Sequence, residues 1–330
     1  MIYQKSKRLL QNTLLVIASL VMGMLTVEFF LRVISFEPKF LWMEQSWFRL
    51  GKQSAAKCYI LDPDFGFRPQ LSNNLYNEFG TRVNSYGIHK RRGITRLLFA
   101  GDSVTARGKI IDALKALYGE ERFEYWNAGV ESFNLIQEVR FYNKYNKYIK
   151  PDHVILFFHN NDFETTPVAF LNSDNNMVVY CPNRPTITLS RLLFKHSVLY
   201  RALVSSHLKL VYKMNNNGKI NEEVKSEVSE NIKILQHTLA RQNIKFTVVV
   251  LPIIDSYDKW TEKEKESRSE ILNILHNLRI KYIDLTQVLF QLNSKAIDIV
   301  KLSTNGERGH PGDKLALYFA GFLYEKKILE

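Results

Sequence analysis

Cysteine is nearly absent: Cys58 and Cys181 are the only two in 330 residues. So few exclude a disulfide-stapled scaffold. With no HExxH and no paired CxxC in the chain, nothing has the spacing of a zinc site either. Outside the cytosol the two could form one disulfide; as free buried thiols they would be equally ordinary. Nine prolines and 15 glycines are too few for a collagen-like or low-complexity chain, and no internal repeat is visible. Acidic residues are outnumbered, 33 against 45 Lys and Arg, for a net charge of +12. The bases are scattered, however, and the densest patches, "HKRRGITR" and "YNKYNKYIK", are short. That pattern suits a solvated basic surface, with attraction to an anionic membrane or glycan second, and gives no nucleic-acid-binding stripe.

Long hydrophobic runs are also missing, with one exception. Leu9 to Val27 carries no charge over 19 positions, and Phe29, Phe30, Leu31, Val33 and Ile34 extend it. Nineteen helical residues span about 28 Å, close to a hydrocarbon core. Residues 9–36 are therefore expected to be an uncleaved transmembrane anchor. A cleaved signal peptide would show a shorter apolar core followed by small residues, and "VEFFLRVISFEP" stands there instead. Lys5, Lys7 and Arg8 place residues 1–8 in the cytosol by the positive-inside rule and the remainder outside, in the periplasm where a second membrane exists. Glu28 and Arg32, four apart, can pair at the outer interface.

Residues 37–93 are aromatic and punctuated by Asp-Pro, Phe-Gly and Tyr-Gly, which predicts short extended pieces and turns in a membrane-proximal lead-in. From residue 94 strands and helices alternate. "RLLFAG", "RFEYWNAG", "DHVILFFH", "KFTVVVLP" and "KYIDL" read as strands, with helices over "KIIDALKALYG", "FNLIQEVRFYNKYNKYI", 220–242, 261–277 and 313–326. Near-continuous apolar strands between helices predict a parallel sheet covered on both faces, with reactive groups at the carboxyl ends of its strands. An insertion over about 163–219 interrupts the alternation and contains a basic amphipathic helix candidate over 189–214, suited to core packing, to a membrane surface or to covering a site.

The stretch "LLFAGDSVTARG" places Ser103 between a strand and a helix, where backbone N–H groups are free and negative charge is favoured. A helix cap explains Asp102 and Ser103 as readily as a nucleophile does. Three blocks nearer the C-terminus supply the partners of acyl transfer. "WNAGVESFN" puts the backbone N–H of Gly129 after the next strand, "LFFHNNDF" ends a third in the amide of Asn161, and "GERGHPG" offers His310 as a base with Glu307 three residues before it to fix the tautomer. Asp284 is a reserve acid, and Arg107 and Lys109 could meet an anionic substrate or simply begin a solvated helix.

These blocks, in this order over residues 94–330, resemble the SGNH (GDSL-type) hydrolases, and "DPDFGFRP…RVNSYGIHK" resembles the lead-in of membrane-anchored bacterial members. The resemblance implies a flavodoxin-like three-layer α/β/α fold and serine esterase chemistry without a cofactor or metal. It makes Ser103 the nucleophile, His310 the base, Glu307 the acid, and the N–H of Ser103, Gly129 and Asn161 the oxyanion hole. The chain departs from the family twice: His159 stands where Gly-x-Asn-Asp has glycine, and Glu307 where Asp-x-x-His has aspartate. His159 is expected to fill space or bond locally, and Asp162 to organise the loop beside Asn161. The expected substrate is an acyl ester, acetyl first, of an extracytoplasmic glycan or lipid. An O-acyltransferase using the same residues, and a non-catalytic glycan-binding or assembly protein on this scaffold, are the alternatives.

Overall fold

A computed structural model of the chain describes residues 2–36, 59–164, 166, 168–171, 177–180, 193, 196–214, 220 and 222–330. Cys58 and Cys181 lie outside the described residues, as does most of the 189–197 part of the expected insertion helix. The chain begins with helix α1, Ile2–Val33. Its stretch Gln11–Val33 has a mean hydropathy of 2.3, is unburied, and is long and apolar enough to cross a membrane. A hairpin comes next, β1 (Tyr59–Asp62) against β2 (Gly66–Pro69). The alternating region then runs β3 (Thr95–Gly101), α2 (Ser103–Arg107), α3 (Lys109–Tyr118), β4 (Phe123–Asn127), α4 (Leu135–Lys144) and β5 (His153–Phe158). The insertion holds an antiparallel pair, β6 (Val168–Leu171) and β7 (Met177–Tyr180), and helix α5 (Val198–Met214). The alternation resumes with α6 (Glu222–Arg241), β8 (Lys245–Val250), α7 (Glu262–Asn277), β9 (Tyr282–Asp284), α8 (Thr286–Ser294) and α9 (Asp313–Glu325).

The central sheet is parallel throughout, in the order β4-β3-β5-β8-β9. This is the flavodoxin-like order 2-1-3-4-5, with the sheet's second strand outside the first and the third at the centre. Strand alternation decides which helices cover which face. Leu97, Phe99, Ile155 and Phe157 join a core with α3, α8 and α9. Leu98, Ala100, Val154 and Leu156 turn the other way, against α4, α6 and α7. On α6 the buried stripe Val224, Val228, Ile232, Leu235 and Leu239 follows helical spacing, so one face lies on the sheet and the polar face meets water.

Helix α4 stops at Lys144 instead of continuing to Ile149. A single 3-10 turn over Asn146–Ile149 succeeds it, and Lys150 takes φ +53° ahead of Pro151, which disfavours the helical region for the residue before it. Asn146 Nδ2 also donates to Phe79 O at 2.7 Å, pinning the turn to the lead-in. The described part of the lead-in is packed onto the sheet domain: Phe65, Phe67 and Tyr76 form one core with Val130, Phe133 and Phe141. The Tyr76 hydroxyl reaches Gly129 O at 3.2 Å, and Arg82 N donates to Asn127 O at 2.7 Å. The lead-in thus backs the loop after β4.

Two polar devices, one of them buried, tie elements together. Arg96 on β3 is 1% exposed and pairs with Glu124 of β4 at 2.7 Å, while its remaining N–H groups reach the carbonyls of Gly87, Ile88 and Ile149. Separately, Glu28 of α1 accepts from Ser197 Oγ (2.9 Å), Val198 N (3.0 Å) and Leu199 N (2.8 Å), and pairs with Arg32 at 2.6 Å. A carboxylate from the apolar helix therefore caps the start of α5.

Candidate active site

The carboxyl ends of β3, β4 and β5 converge beside the loop that precedes α9. Gly101 ends β3 at φ +151°, and a Cβ there would lie 2.1 Å from Thr105 Oγ1 and 2.9 Å from Phe157 O. Only glycine closes so tight a strand-to-helix turn. Asp102, 1% exposed, caps α2 by accepting from Val104 N at 2.9 Å. Ser103 is the first residue of that helix, so its side chain stands at the mouth of the turn.

His310 is carried by the loop over 303–311, closed by the Ser303–Pro311 bridge and by Thr304 N donating to His310 O at 2.8 Å. Ile254 N donates to Arg308 O at 2.7 Å and ties this loop to the segment after β8. Across the gap, Ser103 Oγ and His310 Nε2 are 2.9 Å apart, and His310 Nδ1 and Glu307 Oε2 are 2.6 Å apart. Glu307 Oε2 accepts from Arg107 Nη1 at 3.2 Å as well. Hydroxyl, imidazole and carboxylate thus form one continuous chain, the arrangement in which a histidine can take the serine proton.

The electrostatics suit a neutral base. Burial lowers the His310 pKa from its ordinary 6.5, and the Arg107 charge lowers it further, against the opposing pull of Asp102 and Glu307. For Glu307, burial alone would raise the pKa, but the hydrogen bond and charge of Arg107, together with His310, outweigh it and hold the carboxyl below its usual range. At neutral pH the imidazole is therefore uncharged and the carboxyl ionised.

Asn161 lies in the short turn after β5 and donates from Nδ2 to Asp102 Oδ2 at 3.1 Å, beside Ser103. Its second amide hydrogen is not spent on that bond. Asp162 shapes the turn by accepting the His159 N–H at 2.7 Å; burial and the neighbouring Asp102 push its carboxyl up. Gly129 stands where the sequence places it, but its N–H donates to Asn127 Oδ1 at 2.9 Å, so this donor is engaged within the protein. Close approach is the reason for glycine here: a Cβ would lie 2.2 Å from Ala106 N, on the helix that carries Ser103.

No family model and no curated protein matches the chain. Solved structures do resemble it. An acetyl xylan esterase aligns at 15% identity over 70% of this chain and 98% of its own, with a TM-score of 0.44. A lipase/acylhydrolase from Enterococcus faecalis aligns at 15% identity over 71% and 97%, with a TM-score of 0.42. A catalytic mutant of an acetylxylan esterase from Geobacillus stearothermophilus aligns at 14% identity over 70% and 93%, with a TM-score of 0.45.

Of the other sequence candidates, Asp284 and Lys109 are engaged elsewhere, while Arg107 joins the site. Asp284 is occupied by Arg268 and by Thr286 N at 2.9 Å, so it is a structural acid at the end of β9. Lys109 is turned to Asp313 at 2.9 Å and Thr304 at 3.3 Å. Arg107, read from the sequence as an anionic-substrate contact or the start of a solvated helix, is bonded to Glu307. That bond has no sequence signature: the two residues are 200 positions apart, and only the fold brings them together. The same holds for Asn161 and Asp102, 59 apart.

Proposed function

We propose that the chain is a membrane-anchored serine esterase of the SGNH type. Its reaction would remove an acyl group, acetyl first, from an ester of an extracytoplasmic glycan or lipid. In this reading His310 Nε2 takes the proton of Ser103 Oγ as that oxygen attacks the ester carbonyl. The tetrahedral oxyanion is met by the Ser103 N–H and by Asn161 Nδ2, with Gly129 N–H able to join only if Asn127 lets it go. Collapse expels the alcohol, which receives the proton from His310, and leaves an acyl-enzyme on Ser103. Water, deprotonated by the same imidazole, then releases the acid and restores the serine. Glu307 keeps the Nδ1 proton in place and balances the imidazolium that forms in both halves.

The observation that carries this reading is the unbroken Ser103–His310–Glu307 chain at 2.9 and 2.6 Å. The membrane part is supported by the apolar Gln11–Val33 stretch and the Lys5, Lys7 and Arg8 that precede it, with the N-terminus cytosolic and the α/β/α domain outside. The test is covalent labelling of the full chain in detergent with a fluorophosphonate, beside Ser103→Ala. Labelling that disappears in the variant is expected. A folded wild-type protein that takes no label would leave a non-catalytic binding protein in its place.

A further inference from the structure

We infer that His159 is a positioning residue for the proposed acyl transfer, holding the Asn161 amide with its nitrogen turned to the reaction centre. The inference rests on the esterase reading above, and it concerns a residue that stands where glycine is usual in the resembled family.

The backbone at residue 159 makes no demand for glycine: φ −119° and ψ 167° are ordinary extended values, and the N–H is satisfied by Asp162. A side chain is therefore free to do something here. The ring is largely buried, and its Nδ1 lies 2.9 Å from Asn161 Oδ1. An amide oxygen can only accept, so Nδ1 carries the proton. The other nitrogen, Nε2, is buried and has no hydrogen-bonding partner among the described residues, whereas a proton on Nδ1 is received by Asn161 Oδ1. The ring thus donates from Nδ1 to Asn161 Oδ1.

That bond decides the orientation of the amide. Asn161 Nδ2 faces Asp102 Oδ2 at 3.1 Å, and Asp102 Oδ2 is itself 3.5 Å from Ser103 Oγ. Turned over, the amide would set its oxygen against the Asp102 carboxylate and its nitrogen against the His159 N–H, losing both bonds. Two ties, one on each amide atom, therefore hold Nδ2 beside the serine. A glycine at 159 would leave only one. His159 also lines a cavity of about 10 Å³ with Trp260, Ser267 and Ile271, roughly room for one water.

Four variants of the full chain in detergent test this: His159→Phe, His159→Asn, Asn161→Ala and the His159→Phe/Asn161→Ala pair. They are read by steady-state turnover of p-nitrophenyl acetate and by the rate of fluorophosphonate labelling. His159→Phe keeps the ring volume and removes the donor; it is expected to lower kcat and the labelling rate about tenfold with KM little changed. His159→Asn places an amide nitrogen near the position of Nδ1 and is expected to recover most of that loss. It also keeps the test open should the phenylalanine variant fail to fold. In an Asn161→Ala background, His159→Phe is expected to add nothing further. Full activity in His159→Phe, an asparagine variant as slow as a folded phenylalanine variant, or a second tenfold loss on top of Asn161→Ala would each overturn the inference. An inert wild-type protein would overturn the esterase reading itself, and this inference with it.

Discussion

Replacing Glu307 by glutamine gives the sharpest test of how the histidine is held. In a triad whose acid becomes an amide, the danger is that the NH2 group faces the imidazole and imposes the wrong tautomer, at a cost of about 10⁴ in rate. Here both donors, His310 Nδ1 and Arg107 Nη1, converge on the same oxygen, Oε2, at 2.6 and 3.2 Å. An amide oxygen at that position satisfies both, whereas the amide nitrogen would meet two donors and satisfy neither. Glu307→Gln should therefore keep the tautomer and lose only the charge. A hydrogen bond to an ionised partner contributes about 1.5–3 kcal/mol and a neutral one about 0.5–1.5, so the loss is about 1–1.5 kcal/mol. Since about 1.36 kcal/mol is tenfold in rate, kcat should fall about tenfold. Arg107→Ala combined with Glu307→Gln frees the amide to turn over and should fall much further than either alone. The assay is kcat and kcat/KM for an activated acetyl ester, with thermal unfolding measured alongside. A Glu307→Gln variant as dead as His310→Ala would refute the convergence on one oxygen, and an unchanged one would remove Glu307 from the site.

Three further outcomes are expected. In the proposed mechanism His310 acts as a neutral base, and its pKa is lowered, so activity should fall as pH drops through a point below 6.5 and be level at neutral pH; an acid limb centred above about 7 would contradict the effect of burial and Arg107. His153 is buried among strands, and burial with Lys245 and Lys281 nearby pushes its pKa down to about 3. The unfolded chain binds that proton first, so the contribution of His153 is present above about pH 6.5 and lost towards about pH 3. His153→Gln should make unfolding free energy less steep with pH by up to about 1.4 kcal/mol per pH unit in that window, and an unaltered slope would refute it. Arg96→Met strands the Glu124 carboxylate in the core and should destabilise by about 3–5 kcal/mol in denaturant titration, where a loss under about 1 would show that the pair is expendable.

Much of the fold was legible because the signals are local. A run as short as "HVILFF" between turn signals reads as a strand buried on both faces, and the apolar stripe of α6 reads as a helix with one buried face. The end of α4 is not legible in the same way. Apolar spacing continues through Tyr145 and Ile149, while the α-helix ends at Lys144 and the turn that follows is tied by a bond from Asn146 to a distant carbonyl and closed at Lys150, before Pro151.

By itself the sequence determined the parallel α/β alternation, the one apolar helix at the start, and the residue types able to perform acyl transfer, since each depends on spacing within a few turns or strands. The tertiary structure alone decided which of those groups touch. Ser103 and His310 meet across 207 positions, and Arg107 bonds Glu307 across 200. The Gly129 N–H is taken by Asn127, and the His159 ring faces Asn161. Such contacts are set by where strand ends and loops arrive in space, and by which donor finds an acceptor there once water is excluded, neither of which leaves a periodicity in the chain.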